Sequence, residues 1–236
     1  MGAYRSSQRS TLDLLKLLVV ALCASTAFFL GDVHAADPDP LADFCVADLS
    51  PNAPLVNGYA CKPRTNVTTD DFVYTGFRQA AASDAQIMQS PTGAVVSLAG
   101  PKEWPGLNTQ GVTHARLDFA IGGVIPLHTH PRAAETLLVL KGTIYTGFIS
   151  DDNVLYASTL KQGDVILFPK ALLHFQLNVG NETAITFNTL TSQSPGLLLS
   201  ANQIFEPNIT SAVIEKSFGI DAAIVKLLKA SYPGHP

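Results

Sequence analysis

The stretch Gly122 to Gly142, GGVIPLHTHPRAAETLLVLKG, decides how this chain is read. In it His128 and His130 stand one residue apart, and Glu135 follows five residues after the second. Side chains alternate faces along a strand, so the two imidazoles point the same way, and a turn at Pro131 returns Glu135 to that side. A second stretch, GDVILFPKALLHFQLN from Gly163 to Asn178, adds His174. Three imidazoles and one carboxylate suit a divalent cation. Four protein ligands around an octahedral ion leave two positions for water or a small substrate.

Outward from these stretches, from about Val95, short runs of Val, Ile, Leu, Phe and Thr are separated by Gly, Pro, Asn and Asp. This is the habit of an antiparallel β protein. Strands are expected at Leu117 to Ile121, Glu135 to Leu140, Thr143 to Ser150, Val154 to Leu160, Asp164 to Phe168, His174 to Val179 and Ala184 to Leu190. Asp151-Asp152-Asn153 marks a hairpin, with further turns at Gln162-Gly163-Asp164 and Gly180-Asn181. So many closely spaced strands predict an all-β fold, a jelly roll or small barrel.

With 236 residues, 47% of them hydrophobic and 14% charged, the chain can bury one good core. A formal charge of -4 without a clustered basic face argues against a nucleic-acid partner. Residues 1–35 read as a signal peptide: Arg5 and Arg9 form a basic start, Leu17 to Leu30 an apolar run, and Val33-His34-Ala35 a small-residue cleavage site. The rival reading is a membrane anchor, but Lys16 limits the apolar run to 14 residues, short of the roughly 20 a spanning helix needs. Secretion is therefore expected, and no membrane partner.

Cys23 leaves with the signal, so Cys45 and Cys61 remain in an oxidising compartment, where a disulfide is expected rather than two buried thiols. Closing that loop is worth on the order of 3 kcal/mol in the chain-entropy account. Export also makes Asn66, Asn181 and Asn208, each in an Asn-x-Thr sequon, candidate glycan sites. Residues 36–90 read as an arm carrying the disulfide and first strands, with a strand edge at Asp70 to Tyr74, and residues 91–200 as the barrel. Within residues 201–236, Thr210 or Ser211 caps a helix through Ser217, and Asp221 caps Ala222 to Ala230 with Ile224, Leu227 and Leu228 on one face. A closed barrel leaves such helices little core to enter, so they pack on another subunit or dock back on their own barrel.

A lone strand histidine is more often structural than a ligand, and His114 falls there. The two histidine-bearing stretches go further. Gly122, His128, His130, Glu135 and Gly142 match the first box of the germin-like proteins of the cupin superfamily, and Gly163, Pro169, His174 and Asn178 match the second. The chain resembles that family over essentially its whole mature length, including DFCVADL at Asp43 to Leu49 and GLNTQG at Gly106 to Gly111. One position departs: Ala171 stands where the family has glycine, which would strain a turn of positive φ.

The resemblance implies a secreted cell-wall glycoprotein in which a cupin barrel holds manganese through His128, His130, Glu135 and His174, with C-terminal helices joining dimers into a homohexamer. Ligand affinity alone would not select manganese, since copper or zinc binds such donors more tightly. The activity implied first is superoxide dismutation, the metal cycling between its +2 and +3 states, with a small anionic or dioxygen-derived substrate. The alternative is a non-catalytic storage, receptor-like or wall-associated protein whose metal is structural. Oxalate oxidation is not expected. The family's oxalate oxidases place two asparagines beside the metal, and this chain has Ala115 and Ile125 at those positions.

Overall fold

The structure is a computed structural model that describes residues 42–54, 58–80 and 82–232. The expected signal peptide lies outside the described residues. Two five-stranded antiparallel sheets face each other. In chain order the strands are β1 (Ala94–Ala99), β2 (Thr113–Phe119), β3 (Val124–Thr129), β4 (Glu135–Lys141), β5 (Thr143–Ile149), β6 (Leu155–Lys161), β7 (Val165–Phe168), β8 (Leu173–Asn178), β9 (Ala184–Leu190) and β10 (Leu198–Leu199). One sheet runs β1-β2-β9-β4-β7 and the other β10-β3-β8-β5-β6. The helices are α1 (Asp84–Gln89), α2 (Ser200–Phe205), α3 (Ser211–Phe218) and α4 (Ala222–Ser231). The fold is therefore the expected mostly-β cupin architecture.

The strands form because their sequences alternate. Burial along β8 and β9 switches with every residue, placing His174, Gln176 and Asn178 inside on one sheet and Ala184, Thr186, Asn188 and Leu190 inside on the other. Between the sheets lies an apolar core that includes Leu117, Phe119, Leu137, Val139, Ile144 and Phe168. Gly142 closes the tight β4–β5 connection at φ 85°, where a Cβ would sit 2.6 Å from that of Ala184. Only glycine fits there.

Several local expectations are corrected. Asp70 to Tyr74 forms no strand: Thr69–Phe72 is a 3-10 turn, because Asp71 accepts from the Thr68 amide at 2.8 Å in a capping box and holds Lys62 at 2.9 Å. Strand β2 begins four residues before the expected Leu117, since His114 and Arg116 are outward-facing partners of β9. Helix α2 and the two-residue strand β10 carry too little pattern to be anticipated. The expected apolar face of α4 is not contradicted but lies uncovered on this chain, with Ile224 and Leu227 43% and 68% exposed, while Val225 beside it is fully buried.

The arm lies against the barrel of its own chain. Cys45 and Cys61 are bonded, as expected, and Ala47 bridges Cys61 beside the disulfide. Tyr74 and Phe77 meet edge to face and join Trp104, His114 and Phe187 in an aromatic cluster on the outer face of the β2–β9 pair. Arg116 adds a link, donating to the Phe77 carbonyl and to Asp118.

Candidate metal centre

His128 is the penultimate residue of β3, His130 lies just past the strand's end, Glu135 opens β4, and His174 lies cross-strand from His128 on β8. Histidines from one sheet thus meet a carboxylate from the other. The four donor atoms all lie within 4.8 Å of one another. A Pro131-Arg132 turn, fastened by the Arg132 amide to the Pro195 carbonyl, returns the chain to Glu135 as the spacing predicts.

Backbone carbonyls orient the rings. Nδ1 of His128 donates to Pro126 at 2.8 Å, Nδ1 of His174 to Leu172 at 2.8 Å, and Nδ1 of His130 to Gly196 at 2.5 Å. A carbonyl only accepts, so each Nδ1 carries the proton and each Nε2 turns toward the cluster. Phe168 stacks on His174 with centroids 4.5 Å apart, and the His128 and His174 rings are 4.1 Å apart.

The Oε2 atom of Glu135 is 3.0 Å from Nε2 of His130 and 3.2 Å from Nε2 of His174. With Nδ1 protonated, these nitrogens present lone pairs to a carboxylate oxygen. Such a knot of acceptors requires a proton or a cation at its centre.

The charge states answer to that requirement. Burial alone would raise the Glu135 carboxyl, but hydrogen bonds from His130 and His174, and then from Asn188, hold it far below the usual range. Burial also disfavours a charged His130, yet its bond to Glu135 prevails and raises it. His128 has no such partner: burial, then the neighbouring His174, pushes it down to about 4. The arrangement fits a divalent cation through the chemistry of its donors, three imidazole Nε2 atoms and one ionised oxygen.

Two inward amides were not anticipated. Asn188 on β9 is fully buried and donates to Oε1 of Glu135 at 2.5 Å. Gln176, two residues beyond His174, is fully buried with neither amide atom partnered. The signal for both was available, since each is a polar residue on the inner face of an alternating strand. Ala115 is buried opposite Asn188, and Ile125 packs against the core opposite Gln176. His114 stays outside the cluster, 3.0 Å from the Thr189 hydroxyl and stacked on Phe187.

Two facing antiparallel sheets with an inward His-His-Glu-His group define a cupin, and residues 80–226 match the cupin family. The chain is 42% identical over 222 residues to germin-like protein 8-2 of Oryza sativa subsp. japonica, covering 92% of this chain and 96% of that one. It is 44% identical over 206 residues to auxin-binding protein ABP19a of Prunus persica, covering 87% and 93%. A solved oxalate oxidase superposes with a TM-score of 0.78 at 38% identity, covering 84% of this chain and 98% of that one. The chain belongs to the germin-like proteins.

Proposed function

We propose that this protein is a secreted, manganese-binding germin-like protein that dismutes superoxide. The observation carrying this reading is the convergence of four donors within 4.8 Å, with three imidazole tautomers fixed by backbone carbonyls. Manganese in this site would supply one-electron redox, converting two superoxide anions and two protons to dioxygen and hydrogen peroxide. The chain's own part is to hold neutral imidazoles and an ionised Glu135 in a largely apolar interior, and to offer the free amide of Gln176 to a small polar guest.

The choice against oxalate rests on Ala115 and Ile125. Neither can donate to a dianion that must shed its water, and two absent charge-assisted hydrogen bonds of about 1.5 to 3 kcal/mol each amount to two to four powers of ten. Superoxide is smaller and carries one charge, so it depends less on such donors.

Secretion is supported by the Cys45–Cys61 disulfide and by the exposure of Asn66, Asn181 and Asn208, the proposed glycan sites. Among the described residues no helix is long and apolar enough to cross a membrane. Assembly into a homohexamer is supported by the apolar side chains that the C-terminal helices leave uncovered: Val213 and Phe218 on α3, Ile224 and Leu227 on α4.

The test is to assay one sized, manganese-loaded preparation for superoxide dismutation and for oxalate-dependent peroxide. Dismutation by a hexamer, with oxalate turnover rising only in the Ala115→Asn, Ile125→Asn variant, is the expected result. Inert metal-loaded protein would favour the structural-metal alternative. Strong oxalate turnover by the unaltered chain would overturn the substrate reading.

A further inference from the structure

Strand β9 carries two polar residues where its cross-strand neighbours are apolar. Thr186 lies between Leu117 and Val139, Asn188 between Ala115 and Leu137, and both polar residues are fully buried. Burying a hydroxyl and an amide in such a wall is unfavourable unless each finds a partner. Here the partners form a line: the Thr186 hydroxyl donates to Oδ1 of Asn188 at 2.8 Å, and Nδ2 of Asn188 donates to Oε1 of Glu135. The carboxylate settles which way the amide faces, because the flipped side chain would turn its oxygen on Oε1, and the Thr186 hydroxyl then anchors the amide by donating to Oδ1.

The two oxygens of Glu135 are thereby given different work. Oε1 is occupied by Asn188, while Oε2 faces Nε2 of His130 and of His174. A carboxylate free of such a bond can turn both oxygens to a cation. We propose that Asn188, oriented by Thr186, is a positioning residue that holds Glu135 to ligation through Oε2 alone and so keeps open the coordination position a second oxygen would take. Four single-atom donors then leave two exchangeable positions on an octahedral ion, and a bidentate Glu135 would leave one.

This inference rests on the metal site proposed above, and its test does not depend on turnover. Manganese(II) is added to metal-free full-length protein, and three quantities are read: affinity, the electron paramagnetic resonance spectrum of the bound ion, and water-proton relaxivity per bound ion, which counts exchanging waters. Asn188→Leu keeps the shape and removes the amide. It should weaken manganese binding about 10- to 100-fold, as loss of a ligand's supporting hydrogen bond does. Its relaxivity should fall toward half, and its spectrum should change. Thr186→Val, which leaves the amide unguided, should move all three in the same direction by less.

If Asn188→Leu does not fold because the Thr186 hydroxyl is left unpaired, the Thr186→Val, Asn188→Leu pair removes both partners and should fold, since replacing both by apolar groups can be nearly neutral. A folded, loaded variant with the wild-type spectrum and relaxivity would overturn the role of Asn188 while leaving the metal site standing. Wild-type protein that takes up no manganese would overturn both.

Discussion

Replacing His130 by alanine separates what the imidazole does for the fold from what it does for the metal. In the metal-free protein His130 bonds Glu135 at 3.0 Å and the Gly196 carbonyl at 2.5 Å, with side chains only 12% and 5% exposed at the pair. Losing a hydrogen bond to a charged group costs about 1.5 to 3 kcal/mol and a neutral one about 1, so His130→Ala should lower metal-free stability by about 2.5 to 4 kcal/mol. The proposed metal adds a second term. Manganese at 100 to 1,000 times its dissociation constant stabilises the native state by about 2.7 to 4.1 kcal/mol. At about 2 to 4 °C per kcal/mol for a chain of this size, the wild-type melting temperature should rise roughly 5 to 16 °C on loading. In His130→Ala that rise should shrink toward zero, and metal content by elemental analysis should fall with it. The control is His114→Ala, which removes a half-buried imidazole contact on the outer face but leaves the cluster intact. It should destabilise while keeping the full metal-dependent shift. Undiminished metal content and an unchanged shift in His130→Ala would refute the assignment of His130 as a ligand.

Metal-free protein should lose stability in mild acid. His128, held down to about 4 mainly by burial, favours the fold above its unfolded value near 6.5, and that contribution, about 3 kcal/mol, is lost as pH falls from 6.5 to 4. His130, raised by Glu135 against its burial, acts in the opposite sense: its contribution is complete below 6.5 and is lost as pH climbs through its raised folded value. Urea melts with chelator at pH 7, 5.5 and 4 check this, and a flat profile across that window would show that His128 is not held neutral. Ala171→Gly should stabilise the protein by up to about 1 kcal/mol, because Ala171 sits at φ 65° and glycine relieves the left-handed strain at a smaller entropic cost. A lowered urea midpoint for Ala171→Gly would contradict that account.

The sheet architecture was legible because central strands such as β8 and β9 bury one face each. Alternation along Leu173–Asn178 and Ala184–Leu190 is complete, and a period of two over six or seven residues admits few other readings. Legibility failed where a local signal opposed a stronger one. The Phe-Val-Tyr run after Asp71 has strand propensity, yet the Thr68–Asp71 capping box sits directly before it and bends the backbone into a turn. In α4 the periodicity found the helix and its apolar face of Ile224 and Leu227, but not Val225, which is the side chain buried against its own chain.

The site divides along the same physical line. His128, His130 and Glu135 are near neighbours in sequence, so strand alternation and one turn suffice to bring them together. His174 comes from the second box and reaches them by pairing β8 directly against β3 at His128. Asn188 has no such local cue. Its partner Glu135 is 53 residues away, and the pair meets only because β9 lies beside β4. What a strand pattern does reveal is the anomaly itself: between inward Ala184 and inward Leu190 stand a threonine and an asparagine where aliphatic residues would serve a plain core. Polar residues at successive inward positions must be answered from another strand, since groups on their own strand cannot satisfy them all. In this barrel the answer to Asn188 is the free oxygen of a candidate metal ligand, which is why the role of that asparagine is tested on the bound ion rather than on the fold.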